Sequence, residues 1–175
     1  MEPVIIDKKL LIAHAHVTDT ARVERMTGPL WSRLALVRAV HKGRLALLAL
    51  NARYHLRSAE RLGGQVTLRG RAHVVNDGRM TFGDRIRLVS TVATLELVTL
   101  PGGNLEFGND ILVNYGTSIV SSNHVKIGNN CMIGAHVMVM DCDFHRVEDK
   151  AWDTTGLPIV LEDRVWLGNR CIVLK

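Results

Sequence analysis

The sequence offers little material for a covalent or aromatic framework. Its three cysteines, Cys131, Cys142 and Cys171, are odd in number and lack CxxC spacing, which argues against a disulfide scaffold and a zinc ribbon and fits a reducing compartment. Aromatic residues make up 5% of the chain, too few to give nucleic-acid bases a stacking platform among the arginines. No uninterrupted apolar run reaches membrane-spanning length. The opening stretch, MEPVIIDKKLLIAHAHV, lacks a charged start, a sustained apolar core and a small-residue cleavage site. These absences read as a cytoplasmic chain. At 175 residues with 47% apolar content, it is long enough to bury one ordinary core, so one domain with an appendage is expected.

Acidic residues are scarce in one segment. Between residues 28 and 62, Arg33, Arg38, Lys42, Arg44, Arg53, Arg57 and Arg61 face Glu60 alone, whereas the rest of the chain is nearly balanced. Rich in Leu, Ala and Arg, the segment predicts helix, divided in two at Lys42-Gly43 and stopped by Gly63-Gly64. Leu30, Leu34, Val37, Leu45, Leu48 and Ala52 recur at three- and four-residue steps, giving each helix an apolar face. Such an arm packs on the domain or on a neighbouring subunit. Its basic surface also suits peripheral contact with anionic lipid.

From Leu105 onward the chain divides into sixes: LEFGND, ILVNYG, TSIVSS, NHVKIG, NNCMIG, AHVMVM. The third residue of every block is apolar: Phe107, Val113, Ile119, Val125, Cys131, Val137. Chance would give that in roughly one register in a hundred, and Ile127, Ile133 and Val139 add a fifth-position column. The rhythm extends to Phe82, Ile86, Leu88 and Val92 before the blocks, and to Leu161, Val165, Leu167, Cys171 and Val173 after them. A period of six suits short strands separated by bends. Stacked coils of such strands bury the column as a continuous interior, with glycines and asparagines at the corners. Between Met140 and Ile159 the rhythm is broken by the polar run DCDFHRVEDKAWDTTGLP.

FGND, IGNNCMIG and above all VWLGN resemble the hexapeptide-repeat acetyltransferases, near the maltose, galactoside and polysaccharide O-acetyltransferase branch. The likeness is strong from about Asp110 to Val173, weaker from Val66 to Asn109, and absent from the arm. It implies a mainly β fold, a left-handed parallel β-helix over residues 63–175 with an N-terminal helical arm within 1–62. It also implies a homotrimer with active sites between subunits and acetyl-CoA as co-substrate. In that family an excursion from the helix carries the catalytic histidine, which places His145 as general base. A neutral imidazole that takes the proton of an attacking hydroxyl is worth ~10²–10⁴ in rate. Asn114 matches the asparagine that meets the acceptor hydroxyl. Asp143 and Trp152 are expected beside the acceptor, with Asp141 or Asp143 a candidate to orient the imidazole. Trp166 and Gly168, in the VWLGN motif, are expected along the cofactor arm. Ser121 and Ser122 stand where sugar acetyltransferases often have acidic residues. The chain ends at CIVLK, in mid-coil, so C-terminal coils that help enclose the CoA arm are expected to be missing.

The remaining candidates are blander. His124 and His136 fall at second positions, pointing outward or into an interface, and lack the five-residue pairing of a β-helical zinc carbonic anhydrase. His14 and His16 form a pair with no further matching ligand, so no metal is expected. Cys131 and Cys171 fill column positions, whereas Cys142, on the loop, is expected to be accessible. Amino-sugar N-acetylation, a drug-modifying relative and a non-catalytic β-helical scaffold are the alternatives, and a scaffold has no need of the histidine loop.

Overall fold

The computed structural model describes residues 30–146 and 152–175. A helix, α1 (Leu30–His55), precedes five stacked coils of short strands. The first coil is β1 (Arg61–Leu62) and β2 (Thr67–Asn76), and the second is β3 (Arg79–Phe82) and β4 (Arg87–Thr99). The third is β5 (Asn104–Phe107), β6 (Leu112–Val113) and β7 (Ser118–Ser121), and the fourth is β8 (His124–Ile127), β9 (Met132–Ile133) and β10 (Met138–Met140). A small hairpin follows, β11 (Phe144–His145) and β12 (Trp152–Asp153), and then the fifth coil, β13 (Ile159–Leu161), β14 (Trp166–Leu167) and β15 (Ile172–Leu174). Among the described residues every pairing between coils is parallel, and only the hairpin is antiparallel.

The strands form three faces of a β-solenoid. One face stacks β1, β3, β5, β8 and β13. The other two share the long strands β2 and β4, which turn a corner, then separate into β6, β9 and β14 on one face and β7, β10 and β15 on the other. The expected columns point inward: Phe107, Val113, Ile119, Val125, Cys131 and Val137 are buried, as are Ile127, Ile133 and Val139. A six-residue repeat produces this because each two- to four-residue strand sends alternate side chains inward before the corner resets its direction.

One corner carries a ladder. Asp84 Oδ1 accepts the Gly64 N–H at 2.7 Å, Asn109 Oδ1 that of Asp84 at 2.8 Å, Asn129 Oδ1 that of Asn109 at 2.9 Å, and Asp163 Oδ1 that of Asn129 at 2.7 Å. The residue after each rung, Gln65, Arg85, Asp110, Asn130 and Arg164, is left-handed with φ between 57° and 65°. Side-chain acceptors thereby satisfy backbone donors that a tight corner would otherwise leave unpaired.

Two expectations fail, each for a local reason. Val92 is not in the column but 76% exposed. Gly70 and Ala72 of β2 pair with Ser90 and Leu95 of β4, so Thr91–Thr94 bulge outward opposite Arg71 alone. Ser90 Oγ closes the base of the bulge by accepting the Leu95 N–H at 2.8 Å. The helix, in turn, is not divided at Lys42-Gly43 and does not run on to Gly63-Gly64 but ends at His55. A side chain at Gly43 would meet nothing within 4 Å, so the glycine sits in the helix at only its ordinary propensity cost, outweighed by strong helix formers around it.

The C-terminal turns of α1 lie on the open edge of β2. Ala52 and Leu56 are buried in the solenoid core. Asn51 Nδ2 donates to the carbonyls of Leu68 at 3.0 Å and Gly70 at 2.8 Å, and His55 Nδ1 lies 3.1 Å from that of Ala72. The helix therefore blunts an edge strand whose carbonyls would otherwise be open templates for pairing.

Candidate active site

Paired residues on neighbouring coils are twenty positions apart at Asn104 and His124, at Leu112 and Met132, and at Ser118 and Met138. The next step is thirty-four: Val125 pairs with Ile159, Met132 with Trp166, and Met138 with Ile172. The surplus leaves the solenoid between β10 and β13, where the apolar rhythm breaks, and carries His145.

The neck of this excursion is tightly bonded. Asp141 is fully buried, and its carboxylate accepts the backbone N–H of Ser122 at 2.7 Å, that of Asn123 at 2.9 Å and the Ser121 hydroxyl at 3.2 Å. Its own carbonyl accepts the Leu157 N–H at 3.0 Å, while Asn123 Nδ2 donates to the Gly156 carbonyl at 2.8 Å. Both feet of the loop are thus tied to the Ser121–Asn123 corner of the coil above. Gly156 is required here, since a Cβ would press on Ser122 Oγ and approach the Asp141 carbonyl to 2.9 Å. The serines, which in sequence stood out only as a departure from an acidic pattern, are the donors that hold this loop. The signal for the clamp was a lone aspartate ending an apolar column twenty residues after a serine at the same coil position.

Beyond the neck, His145 on β11 is exposed and pairs in register with Trp152 on β12. The Trp152 side chain and residues 147–151 lie outside the described residues. Asp143 is exposed and its carboxylate meets Lys175 Nζ at 2.9 Å. The Asp141 oxygens accept from the Ser121–Asn123 corner, and the Asp143 carboxylate is ion-paired with Lys175. Cys142 is buried rather than accessible, and burial pushes its thiol above the ordinary range.

Asn114 follows β6 at a different corner. It is half-buried, with its N–H donated to the Ile133 carbonyl at 3.0 Å and its Oδ1 accepting the Tyr115 N–H at 2.9 Å. Gly168 lies at the same corner two coils further on, through Gly134, whose N–H reaches the Leu167 carbonyl. Trp166 projects from the adjoining face, 75% exposed. Asn114, Trp166 and Gly168 therefore share one edge, whereas the root of the His145 loop lies across the β7–β10 face. A four-residue strand makes that width ~13 Å. His136 is exposed, set edge-on against Tyr115 at 5.5 Å, and His124 Nε2 stands 3.3 Å from Glu106. Among the described residues no group of three or more His, Cys, Asp or Glu side chains has metal-holding geometry.

A separate groove of about 570 Å³ is lined by Leu45, Ala46 and Ala49 of α1 and by Thr67, Arg85 and Arg87 of the upper coils, among others. None of the sequence-predicted site residues borders it.

No family model matches the chain, and no solved structure matches it. It is similar to a Schizosaccharomyces pombe protein named "Putative acetyltransferase C18B11.09c", 36% identical over 76 residues, a match that covers 42% of this chain and 36% of that protein.

Proposed function

We propose that this chain is an acetyl-CoA-dependent O-acetyltransferase acting on a sugar or glycan hydroxyl, with His145 as the general base. The observation that carries the reading is the excursion itself. Between the fourth and fifth coils the step lengthens from twenty residues to thirty-four, and the surplus, clamped at both feet, presents an exposed histidine. The partial likeness to a protein named "Putative acetyltransferase C18B11.09c" supports acetyl transfer in general.

In this mechanism the imidazole of His145 takes the proton of the acceptor hydroxyl as its oxygen attacks the thioester carbonyl. The tetrahedral intermediate collapses with cleavage of the carbon–sulfur bond. The CoA thiolate then takes the proton from the imidazolium, leaving an ester, free CoA and neutral His145. Transfer is direct, so no acyl-enzyme forms. Asn114 holds the acceptor, while Trp166 and Gly168 flank the cofactor arm. Because the Asn114 edge and the His145 loop lie on opposite sides of one face, a complete site assembles between subunits of a homotrimer. The exposed apolar side chains of Met132, Trp166 and Ile172 on the lower coils suit such packing.

The test is an acceptor screen followed by free thiol, with the product distinguished as a hydroxylamine-labile ester or a stable amide. His145→Ala should lower turnover by ~10²–10⁴ while leaving circular dichroism and assembly state unchanged. Activity within a few-fold of the parent removes His145 as base. An amide product moves the reading to N-acetylation, and no thiol release with any acceptor moves it to a scaffold.

A further inference from the structure

Helix α1 buries one side and leaves another apolar side open. Toward the solenoid it sets Ala52 and Leu56 in the core, with Leu48 and Ala49 half-buried. On the opposite side Leu47, Leu50 and Tyr54, at steps of three and four and so on a single stripe, are 68%, 62% and 66% exposed. In sequence the same spacing continues toward the N-terminus through Gly43 to Val40 and Leu36. A helix with apolar stripes on both sides is not the simply amphipathic arm that the sequence predicts. The second stripe has no use in holding the helix to the coils.

The cations flank this stripe. Arg44 lies beside it on one side and Lys42 and Arg53 on the other, all exposed. Just beyond the helix end, the Arg57 guanidinium sits 5.1 Å from the centre of the Tyr54 ring. No acidic residue occurs anywhere from Leu30 to His55. Among the described residues no helix is long and apolar enough to cross a membrane. Exposed leucines and a tyrosine flanked by long basic side chains match a helix lying in the plane of a bilayer interface. Its leucines then enter the acyl boundary, its tyrosine sits at headgroup depth, and its cations reach anionic headgroups.

We infer that the outward face of α1, built on Leu47, Leu50 and Tyr54 with Lys42, Arg44 and Arg53, docks the protein on an anionic lipid surface. A second copy of the same helix fits the stripe less well, because it would bring like charges together without an acidic partner. The inference does not depend on the acetyltransferase reading, since it is read without any acceptor or CoA.

The experiment is co-sedimentation of the full chain with vesicles of phosphatidylcholine alone and of phosphatidylcholine with phosphatidylserine, at low and high salt. The parent should bind the anionic vesicles and be released by salt. Changing Lys42, Arg44 and Arg53 to Gln should weaken binding on the order of 100-fold. Changing Leu47 and Leu50 to Ser should weaken it by about tenfold or more. Both sets lie on the exposed side, so unchanged circular dichroism and melting serve as the control for folding. No preference for anionic vesicles overturns the inference, as does equal binding by parent and variants. If the leucine variant instead changes only the oligomeric state in sedimentation velocity, the stripe belongs to a second copy and the lipid assignment fails.

Discussion

A buried carboxylate is stable only where donors surround it, and Asp141 has two backbone N–H groups and a hydroxyl within hydrogen-bond distance. Asp141→Ala strips the acceptor from the Ser122 and Asn123 amides, a loss on the order of 2–5 kcal/mol. Asp141→Asn keeps one acceptor oxygen but turns an N–H₂ toward donors, so a smaller loss is expected. Thermal unfolding orders the two variants. Limited proteolysis should also cut the Ala variant next to the neck well below its melting temperature, because Asp141, directly and through Asn123, ties the feet at Leu157 and Gly156 to the coil above. Melting within a degree of the parent would show that the clamp contributes nothing. At this scale the sequence was only partly legible. His145 stood out because it interrupts an apolar rhythm. The task of Asp141 did not, since its partners are backbone amides of a different coil, and backbone donors leave no trace in residue identity.

At the scale of the element, corners are more telling than strands. Along the ladder of Asp84, Asn109, Asn129 and Asp163, asparagine and aspartate serve the same purpose, that of an oxygen accepting the amide above. Only the aspartates titrate. The Asp163 carboxyl is held below its usual range chiefly by the Asn129 backbone N–H, then by the Asn129 side chain, with desolvation opposing. A depressed folded-state value contributes stability that is present above the unfolded value of ~3.9 and is lost as pH falls through the lower folded value. Asp163→Asn keeps the acceptor but removes that titration. Its melting temperature should lie somewhat below the parent's near pH 7, where the ionised carboxylate contributes, and converge on it below pH ~4, as melts at stepped pH will show. Asp110, held low by its hydrogen bond to Arg85, remains in both proteins, so some acid sensitivity persists. Parallel curves would remove Asp163 as a source of acid sensitivity. The apolar columns were legible because one buried face per short strand forces a repeat. The Val92 bulge was not, because four apolar and hydroxyl residues carry the same pattern whether they lie in register or loop out. Gly43 misled for the converse reason: a helix interior tolerates a glycine that faces open space.

At the scale of the whole molecule, each coil touches only its neighbours, so the solenoid behaves as a stack whose stability sums over adjacent layers. Ile133 sits between Val113 above and Leu167 below, fully within the core. Ile133→Asp puts an unpaired carboxylate among stacked aliphatics and should cost several kcal/mol, on the order of 3–5. Unfolding followed by circular dichroism and by hydrogen exchange should show the loss spreading into the third and fifth coils while α1 and the first coil keep more of their protection. An unchanged melting temperature would refute the inward register of that column. The neck at Asp141, Leu157 and Gly156 has one more implication. It brings the two ends of residues 142–155 together on a corner that the coil above already defines, so the register of β13, β14 and β15 is set by the stack and not by what lies between the feet. A change in the length of that segment therefore leaves the stacking of the coils on either side of it in place.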